Sequence, residues 1–185
     1  MSKQVEINEK MRAILIDWLL DVHLKFRLLP ETLYLTVFLI DRFLSLKCVS
    51  REKLQLVGVT AMFIASKFEE IYPPECNDFV YISANAYTRE EILQMEQYML
   101  NTLGFNLATP TTLYFLRRFS KAAMSDYRVH TLSKFLLELA LLEIRLLKYV
   151  PSQIAAASVY LARTMVGITP AWVSVIFTYF KNNMI

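Results

Sequence analysis

The chain has 185 residues and is 55% hydrophobic, so it can fill one sizeable core or two small ones and is not expected to be disordered. Its net charge of +3 is modest and the basic residues are spread along the chain, which argues against a dedicated nucleic-acid binder. Only three glycines and six prolines interrupt long stretches of helix-forming residues, so the composition predicts an all-α fold.

Capping residues locate the starts of the predicted helices, and glycines or prolines locate several of their ends. The predicted helices run, in chain order, from Asn8 to about Phe26, from Pro30 to about Leu46, from Ser50 to about Glu70, from Thr88 to Gly104, from Thr109-Pro110 onwards, over roughly 127–144 and 151–166, and after Thr169-Pro170. Only residues 79–82 approach the alternation of a strand, which is too little for a sheet.

Two of the predicted helices carry the same spacing of small residues. The pattern is Gly58, Ala61 and Ala65, and it returns 97 positions later as Ala155, Ser158 and Ala162. Small residues on one stripe let neighbouring helices approach closely, as a central helix requires. The helices before them also match, at an offset of 99. We therefore predict two tandem helical bundles, residues 1–106 and 107–185.

Segments of both predicted bundles resemble signature segments of the cyclin family. In the first bundle they are 11–18 (MRAILIDW), 40–44 (IDRFL), 53–58 (KLQLVG), 65–75 (ASKFEEIYPPE) and 79–82 (FVYI), in the order and at the spacing of a cyclin box. In the second bundle, the segments 115–118 (FLRR), 130–132 (HTL) and 151–156 (PSQIAA) are more similar to B-type than to A-type cyclins.

The resemblance implies two cyclin-fold bundles, of which the second is expected to be truncated inside its fourth helix. It also implies a regulatory subunit without catalytic activity. Such a subunit forms a heterodimer with a cyclin-dependent serine/threonine kinase, activates it, and helps to recruit substrates at the G2/M transition. The expected location is the nucleus and cytoplasm, since Cys48 and Cys76 have no paired spacing and no secretory leader precedes them. No uncharged apolar run approaches the length of about 18 residues that a membrane span needs, so no membrane partner is expected.

Lys67 and Glu96 carry opposite charges near helix ends and have apolar neighbours. Taken alone, they are typical of a solvated ion pair over a packed seam. The resemblance implies instead that both hydrogen-bond backbone groups of the kinase beside its mobile C-helix, while the apolar neighbours pack on that helix. The implied kinase-binding residues are Lys67, Phe68, Glu69, Ile71, Glu96, Leu100 and Phe105.

The first predicted helix carries two apolar stripes. One contains Met11, Ile14, Leu15, Trp18 and Val22, and the other contains Ala13, Ile16, Leu20 and Leu24. One interpretation places both stripes in the core, although one helix rarely buries both. The resemblance implies an exposed groove that docks peptides with a basic-x-leucine motif, with an acid at its rim. The implied groove residues are Met11, Ile14, Leu15, Trp18, Arg51, Leu54 and Gln55, and the rim acid is Asp21.

Two further clusters of charged residues are candidates for specific roles. Arg12 and Asp41 lie among apolar residues, where an unpaired charge is unfavourable, and the resemblance implies that they form a buried structural pair. His130 and Lys134 share one helical face, and with Arg117 they could form a phosphate site or simply a solvated basic face.

Two other classes of function compete with the cyclin interpretation. A scaffold of the general transcription-initiation type also uses two such repeats, but it predicts a strongly basic face and often a zinc ribbon. A helical hydrolase or transferase would need a polar catalytic cluster. The sequence contains no phosphate-binding glycine loop, zinc-ligand spacing or catalytic triad, so we assign no catalytic residue, metal or cofactor.

Overall fold

The computed structural model describes residues 4–171, so the helix predicted after Pro170 lies outside the described residues. Within this range the chain is all-helical and contains no strand, as predicted. The α-helices are α1 (Glu9–Phe26), α2 (Pro30–Leu46), α3 (Leu54–Glu69), α4 (Cys76–Ile82), α5 (Arg89–Leu103), α6 (Thr112–Ala122), α7 (Tyr127–Leu142) and α8 (Pro151–Val166). Short 3-10 turns at Arg51–Lys53 and Ile144–Lys148 precede α3 and α8.

The predicted caps are present at α1 and α5. The Asn8 side chain accepts a hydrogen bond from Met11 N at 2.9 Å and begins α1. Thr88 and Glu91 form a reciprocal capping box at the start of α5. Gly104 ends α5 in the left-handed conformation, with φ at 62°, which a residue with a side chain adopts at some cost. Local signals thus fix both ends of α5.

Two helix assignments differ from the sequence prediction. Residues 79–82 belong to α4, where Phe79 is fully buried and its ring centroid lies 5.4 Å from those of Phe26 and Phe63. A seven-residue helix that buries only Cys76 and Phe79 lacks the long apolar stripe by which helices are recognised in a sequence. The helix predicted from Thr109-Pro110 begins at Thr112, because Thr111 keeps the extended backbone of an N-cap.

The chain divides into two compact units, Met1–Thr109 and Pro110–Ile185, and the division falls three residues after the predicted boundary. In the first unit, α3 is central: it packs against α1, α2 and α5, and every residue from 56 to 66 is buried. In the second unit, α8 packs against α6 and α7. The predicted small residues of both helices are buried, as close packing around a central helix requires.

One face of α1 is directed into the first unit. Its buried residues are Arg12, Leu15, Ile16, Leu19 and Val22. This buried face contains residues of both predicted stripes, so neither stripe is completely buried. The helix approaches α3 closely at Gly58, where an added Cβ would lie 2.7 Å from Leu15 Cδ1. Glycine at this position therefore sets how near α1 can lie to α3.

Arg12 and Asp41 link α1 to α2 by two parallel hydrogen bonds. Arg12 Nε lies 2.6 Å from Asp41 Oδ1, and Arg12 Nη2 lies 2.6 Å from Asp41 Oδ2. The arginine side chain is almost fully buried, whereas the aspartate retains slight exposure. A guanidinium at this depth needs hydrogen-bond acceptors, and the Asp41 carboxylate supplies two of them together with the opposite charge. Asp17 of α1, by contrast, is exposed and not set among apolar neighbours.

The end of α3 is tied to the start of α2 by Glu70. Its Oε1 accepts hydrogen bonds from Leu29 N at 2.7 Å and from Thr32 Oγ1 at 2.5 Å. Glu70 thereby satisfies free N-terminal groups of α2 and places negative charge at the positive end of that helix. Its neighbour Glu69 has a raised pKa because of burial first and the negative charges of Glu31 and Glu70 second.

Neither a membrane-spanning helix nor a metal site is found in residues 4–171. No helix in this range is both long and apolar enough to cross a bilayer. No group of three or more His, Cys, Asp or Glu side chains in the same range could hold a metal ion.

We expect Asp41→Ala to lower the free energy of unfolding by about 3–5 kcal/mol, because it leaves the buried Arg12 guanidinium without its carboxylate. The double variant Arg12→Met/Asp41→Ala should be less destabilised than Asp41→Ala alone, since methionine needs no partner. Urea unfolding followed by circular dichroism measures both effects, and Asp17→Ala on the exposed side of α1 is the matched control. A double variant as unstable as the single one would contradict this account.

We expect Glu69→Gln to raise the melting temperature at neutral pH, because the folded protein then no longer holds an ionised Glu69 beside Glu31 and Glu70. The raised pKa means that the folded state binds the Glu69 proton more tightly than the unfolded state does. The penalty is therefore present above the folded pKa and disappears as the pH falls below the ordinary value of 4.5. Melting curves from pH 7 down to about pH 3.5 should show the gain shrinking. A gain that persists in acid would exclude ionisation as its cause.

Candidate functional site

The predicted kinase-binding residues surround an ion pair between α3 and α5. Lys67 Nζ lies 2.5 Å from Glu96 Oε1, and the lysine side chain is 43% exposed while the glutamate is 12% exposed. Lys67 Nζ also lies 4.2 Å from the centroid of the Phe63 ring. The structure thus brings together the two charges on which the prediction depends, and the chain itself supplies a partner for each.

Exposed apolar side chains lie at or beyond the C-terminal ends of α3 and α5, whereas Glu96 is the middle residue of α5 and not near a helix end as predicted. Phe68 and Phe105 are exposed, and Ile71 is 85% exposed, whereas Leu100 and Glu69 are half-buried. Tyr72, which the sequence analysis did not include, is 91% exposed. The signal that could have found it is its place after the end of α3 and before two prolines, where no helix can bury it.

We call Lys67, Phe68, Glu69, Ile71, Tyr72, Glu96, Leu100 and Phe105 the α3–α5 surface. Apolar side chains exposed around a half-exposed ion pair are typical of a protein interface rather than of a catalytic pocket. The apolar groups can exclude water from a partner, and the ion pair can offer a donor and an acceptor to it.

The predicted docking groove is only partly open. Ile14 is 60% exposed, Met11, Trp18 and Gln55 are half-buried, and Arg51 and Asp21 are exposed. The prediction of exposure is wrong for two members, because Leu15 is 5% exposed and Leu54 is 6% exposed. Leu15 fills the space above Gly58, and Leu54 begins the buried face of the central helix α3. Both belong to the core behind the groove.

Two side chains before α1 bind the loop that leads from α2 to α3. Gln4 Nε2 donates to Leu44 O at 2.7 Å and to Lys47 O at 2.6 Å, and Gln4 Oε1 accepts from Val49 N at 3.1 Å. Glu6 Oε2 accepts from Arg51 N at 3.1 Å. The sequence offers no signal for these contacts, since polar residues outside a helix carry no periodic pattern.

The three predicted phosphate-site residues lie in the second unit. His130 Nδ1 lies 2.9 Å from Ser120 Oγ of α6, and Ser120 is one turn beyond the exposed Arg117. Lys134 Nζ lies 3.7 Å from Glu138 Oε1, one turn further along α7. The contact of His130 with α6 therefore lies close to the turn that carries Arg117. A phosphate site at these residues stays a prediction.

Net charge differs between the two units although the basic residues are spread along the chain, because most of the acidic residues lie in the first unit. Residues 110–185 contain nine lysines and arginines against three acidic residues, a net charge of +6. Residues 1–109 contain eleven against fourteen, a net charge of −3. The modest net charge of the whole chain is therefore the sum of an acidic first unit and a basic second unit. An anionic group is bound more favourably by the second unit than by the first.

The second unit also contains an apolar cavity of about 410 Å³ between α7 and α8. Its lining includes Leu136, Leu146, Ile154 and Leu161. In the first unit, α5 packs against both α2 and α3, the helices that correspond to α7 and α8. Among the described residues of the second unit, no helix covers this face.

Comparison with known protein families agrees with this architecture. Residues 1–108 match the family model "Cyclin, N-terminal domain", and residues 110–183 match "Cyclin, C-terminal domain".

Curated relatives carry the names of mitotic B-type cyclins. The chain is 59% identical to a G2/mitotic-specific cyclin-B of Arbacia punctulata over 88% of its own length and 40% of the relative. It is 56% identical to Cyclin-B2-1 of Oryza sativa subsp. japonica over 93% of its length and 41% of the relative. Against the G2/mitotic-specific cyclin S13-7 of Glycine max, the identity is 52% over 93% of the chain and 67% of the relative. The chain thus spans about two fifths of the first two relatives.

Solved structures share the fold. A viral cyclin from herpesvirus saimiri superposes with a TM-score of 0.80 at 21% identity, over 90% of this chain and 74% of the viral one. A chain of the yeast RNA Pol II CTD kinase CTDK-1 complex superposes with a TM-score of 0.79 at 16% identity, over 93% of this chain and 60% of the other. With both family models matched in order over nearly the whole length, the chain belongs to the cyclin family.

Proposed function

We propose that this chain is a non-catalytic subunit that binds and activates a cyclin-dependent serine/threonine kinase and helps to recruit its substrates at the G2/M transition. The observation that carries the proposal is the α3–α5 surface, where two packed helices carry the Lys67–Glu96 ion pair and have exposed apolar side chains at their C-terminal ends. The names of the relatives, G2/mitotic-specific cyclins, support the timing. They also favour this function over a transcription-initiation scaffold or a helical enzyme.

Activation follows from what a kinase requires. Its strand lysine must pair with a glutamate of its C-helix before the phosphates of ATP are aligned. A partner that binds only the inward position of that helix shifts the population of kinase molecules towards it. The α3–α5 surface would supply this binding free energy, and the kinase would carry out the chemistry.

Lys67 and Glu96 can exchange their mutual contact for kinase groups. Water already competes for the ammonium of Lys67, which is 43% exposed, whereas the carboxylate of Glu96 is 12% exposed and needs a partner in either state. Hydrogen bonds from charged groups to backbone groups in a dry interface contribute about 1.5–3 kcal/mol each. The exchange is therefore favourable once Phe68, Ile71 and Phe105 exclude water.

The groove on α1 would serve substrates. Ile14 and Trp18 offer an apolar contact for the leucine of a basic-x-leucine peptide, and the exposed Asp21 offers a carboxylate to its basic residue. We place this activity in the nucleus and cytoplasm, a proposal that the free thiols Cys48 and Cys76 suit.

We expect the double variant Lys67→Ala/Glu96→Ala to bind a mitotic cyclin-dependent kinase about a hundredfold more weakly, because two charge-assisted hydrogen bonds are lost. Phosphorylation of histone by the kinase, titrated with the chain, measures the loss. The matched control is Glu143→Ala/Arg145→Ala, which removes an exposed ion pair of the second unit with a distance of 2.7 Å.

A charge exchange separates binding from internal stabilisation. The variant Lys67→Glu/Glu96→Lys keeps an ion pair within the chain but presents the opposite polarity to a partner. We expect it to remain folded and to fail in activation. Full activation by the exchanged variant would show that the pair only stabilises the chain, and the proposed interface would then be wrong.

We expect Ile14→Ala and Trp18→Ala each to raise the KM of the kinase complex about tenfold for a substrate with a basic-x-leucine motif, since apolar anchors dominate such contacts. A short peptide without the motif should be phosphorylated as before. Leu24→Ala is the matched control, because Leu24 is an exposed apolar residue of the same helix outside the groove. Equal losses on both substrates would mean that Ile14 and Trp18 support activation of the kinase and have no specific part in docking.

A further inference from the structure

The side chain of Gln4 uses its amide donors and its carbonyl acceptor on the loop after α2. It binds the carbonyl groups of Leu44 and Lys47 and the N–H of Val49, as given above. Leu44 lies in the last turn of α2 and Lys47 is its C-cap, so these carbonyls lack partners within the helix. Gln4 therefore caps the C-terminal end of α2 and holds the loop that follows through hydrogen bonds.

The next residues extend this contact in both directions. Glu6 accepts the N–H of Arg51 at 3.1 Å, where the 3-10 turn before α3 begins. Ile7 is buried and anchors the segment in the core. Asn8 then caps α1. We call residues 4–8 the clasp, because they bind the loop after α2 at one end and begin α1 at the other.

The clasp links the two sides of the docking groove, one formed by α1 and the other by the 3-10 turn and the start of α3. Met11 and Ile14 lie in the first two turns of α1, directly after Asn8. Arg51 is bound by Glu6 through its backbone, and Gln55 follows one turn later in α3. The contact of Leu15 with Gly58 fixes the two sides at the inner end of the groove. At the outer end, the hydrogen bonds of the clasp link the start of α1 to the chain that leads into α3.

We propose that the clasp sets the separation of Met11 and Ile14 from Arg51 and Gln55, which makes Gln4 a positioning residue for docked peptides. The proposal rests on the proposed docking function of the groove. Gln4 is half-buried and Glu6 is exposed, so their removal leaves the core packing of the first unit intact. Loss of the clasp frees the loop to move, and a peptide must then order it upon binding.

The test compares four single variants in the full chain bound to its kinase. Gln4→Ala removes the contacts of Gln4, and Glu6→Ala removes the acceptor for Arg51 N–H. Glu6→Gln retains an acceptor oxygen and serves as the rescuing variant. Gln94→Ala, at an exposed position of α5, is the matched control.

We expect Gln4→Ala to raise the KM for a substrate with the docking motif about fivefold and to leave kcat unchanged. Glu6→Ala should raise this KM about threefold, and Glu6→Gln should have the KM of the unsubstituted chain. The KM of a short peptide without the motif should stay constant in all four variants. Hydrogen exchange at the Val49 and Arg51 amides, followed by NMR, should accelerate in Gln4→Ala and Glu6→Ala respectively.

Faster exchange with an unchanged KM would overturn the proposal, because the clasp would then hold the loop without affecting the groove. Unchanged exchange would overturn it as well, since the contacts would have no role in ordering the loop. Failure of the docking function looks different: Ile14→Ala and Trp18→Ala would then leave the KM unaltered although Gln4→Ala still accelerates exchange.

Discussion

The first unit is organised by the close approach of α1 to α3 at Gly58. A Cβ at this position would lie 2.7 Å from Leu15 Cδ1, so either this buried leucine would have to shift or the two helices would have to separate. Because α3 is buried from residue 56 to residue 66, its middle is fully occupied by packing. Only its two ends can reach solvent. The position of both candidate surfaces at the ends of α3 follows from this constraint.

The features predicted best are those with a local cause. Asn8, the Thr88 capping box and Gly104 act on the turn in which they lie, so their neighbours in sequence suffice to identify them. The repeat of the two central helices could also be predicted from the sequence, because small residues at one spacing are typical of a central helix.

The features that were missed depend on distant partners. Glu70 binds Leu29 from 41 positions away, and Gln4 binds Val49 from 45 positions away, so no window of sequence contains both ends of either contact. Leu15 and Trp18 share a stripe, and only the position of Gly58 in space decides that Leu15 is the buried one. Sequence pattern therefore identified the groove but not which of its leucines are open.

The ends of α3 also separate the two proposed tasks in space. Gln55 and Lys67 are twelve residues apart in one helix, which corresponds to roughly 18 Å at the rise of an α-helix. A helix buried along its middle cannot bend without disturbing the helices around it, so this separation is fixed. A substrate held near Gln55 and a kinase held near Lys67 therefore do not compete for the same residues. One buried helix can in this way hold a catalytic partner and its substrate at a constant distance while taking no part in the chemistry.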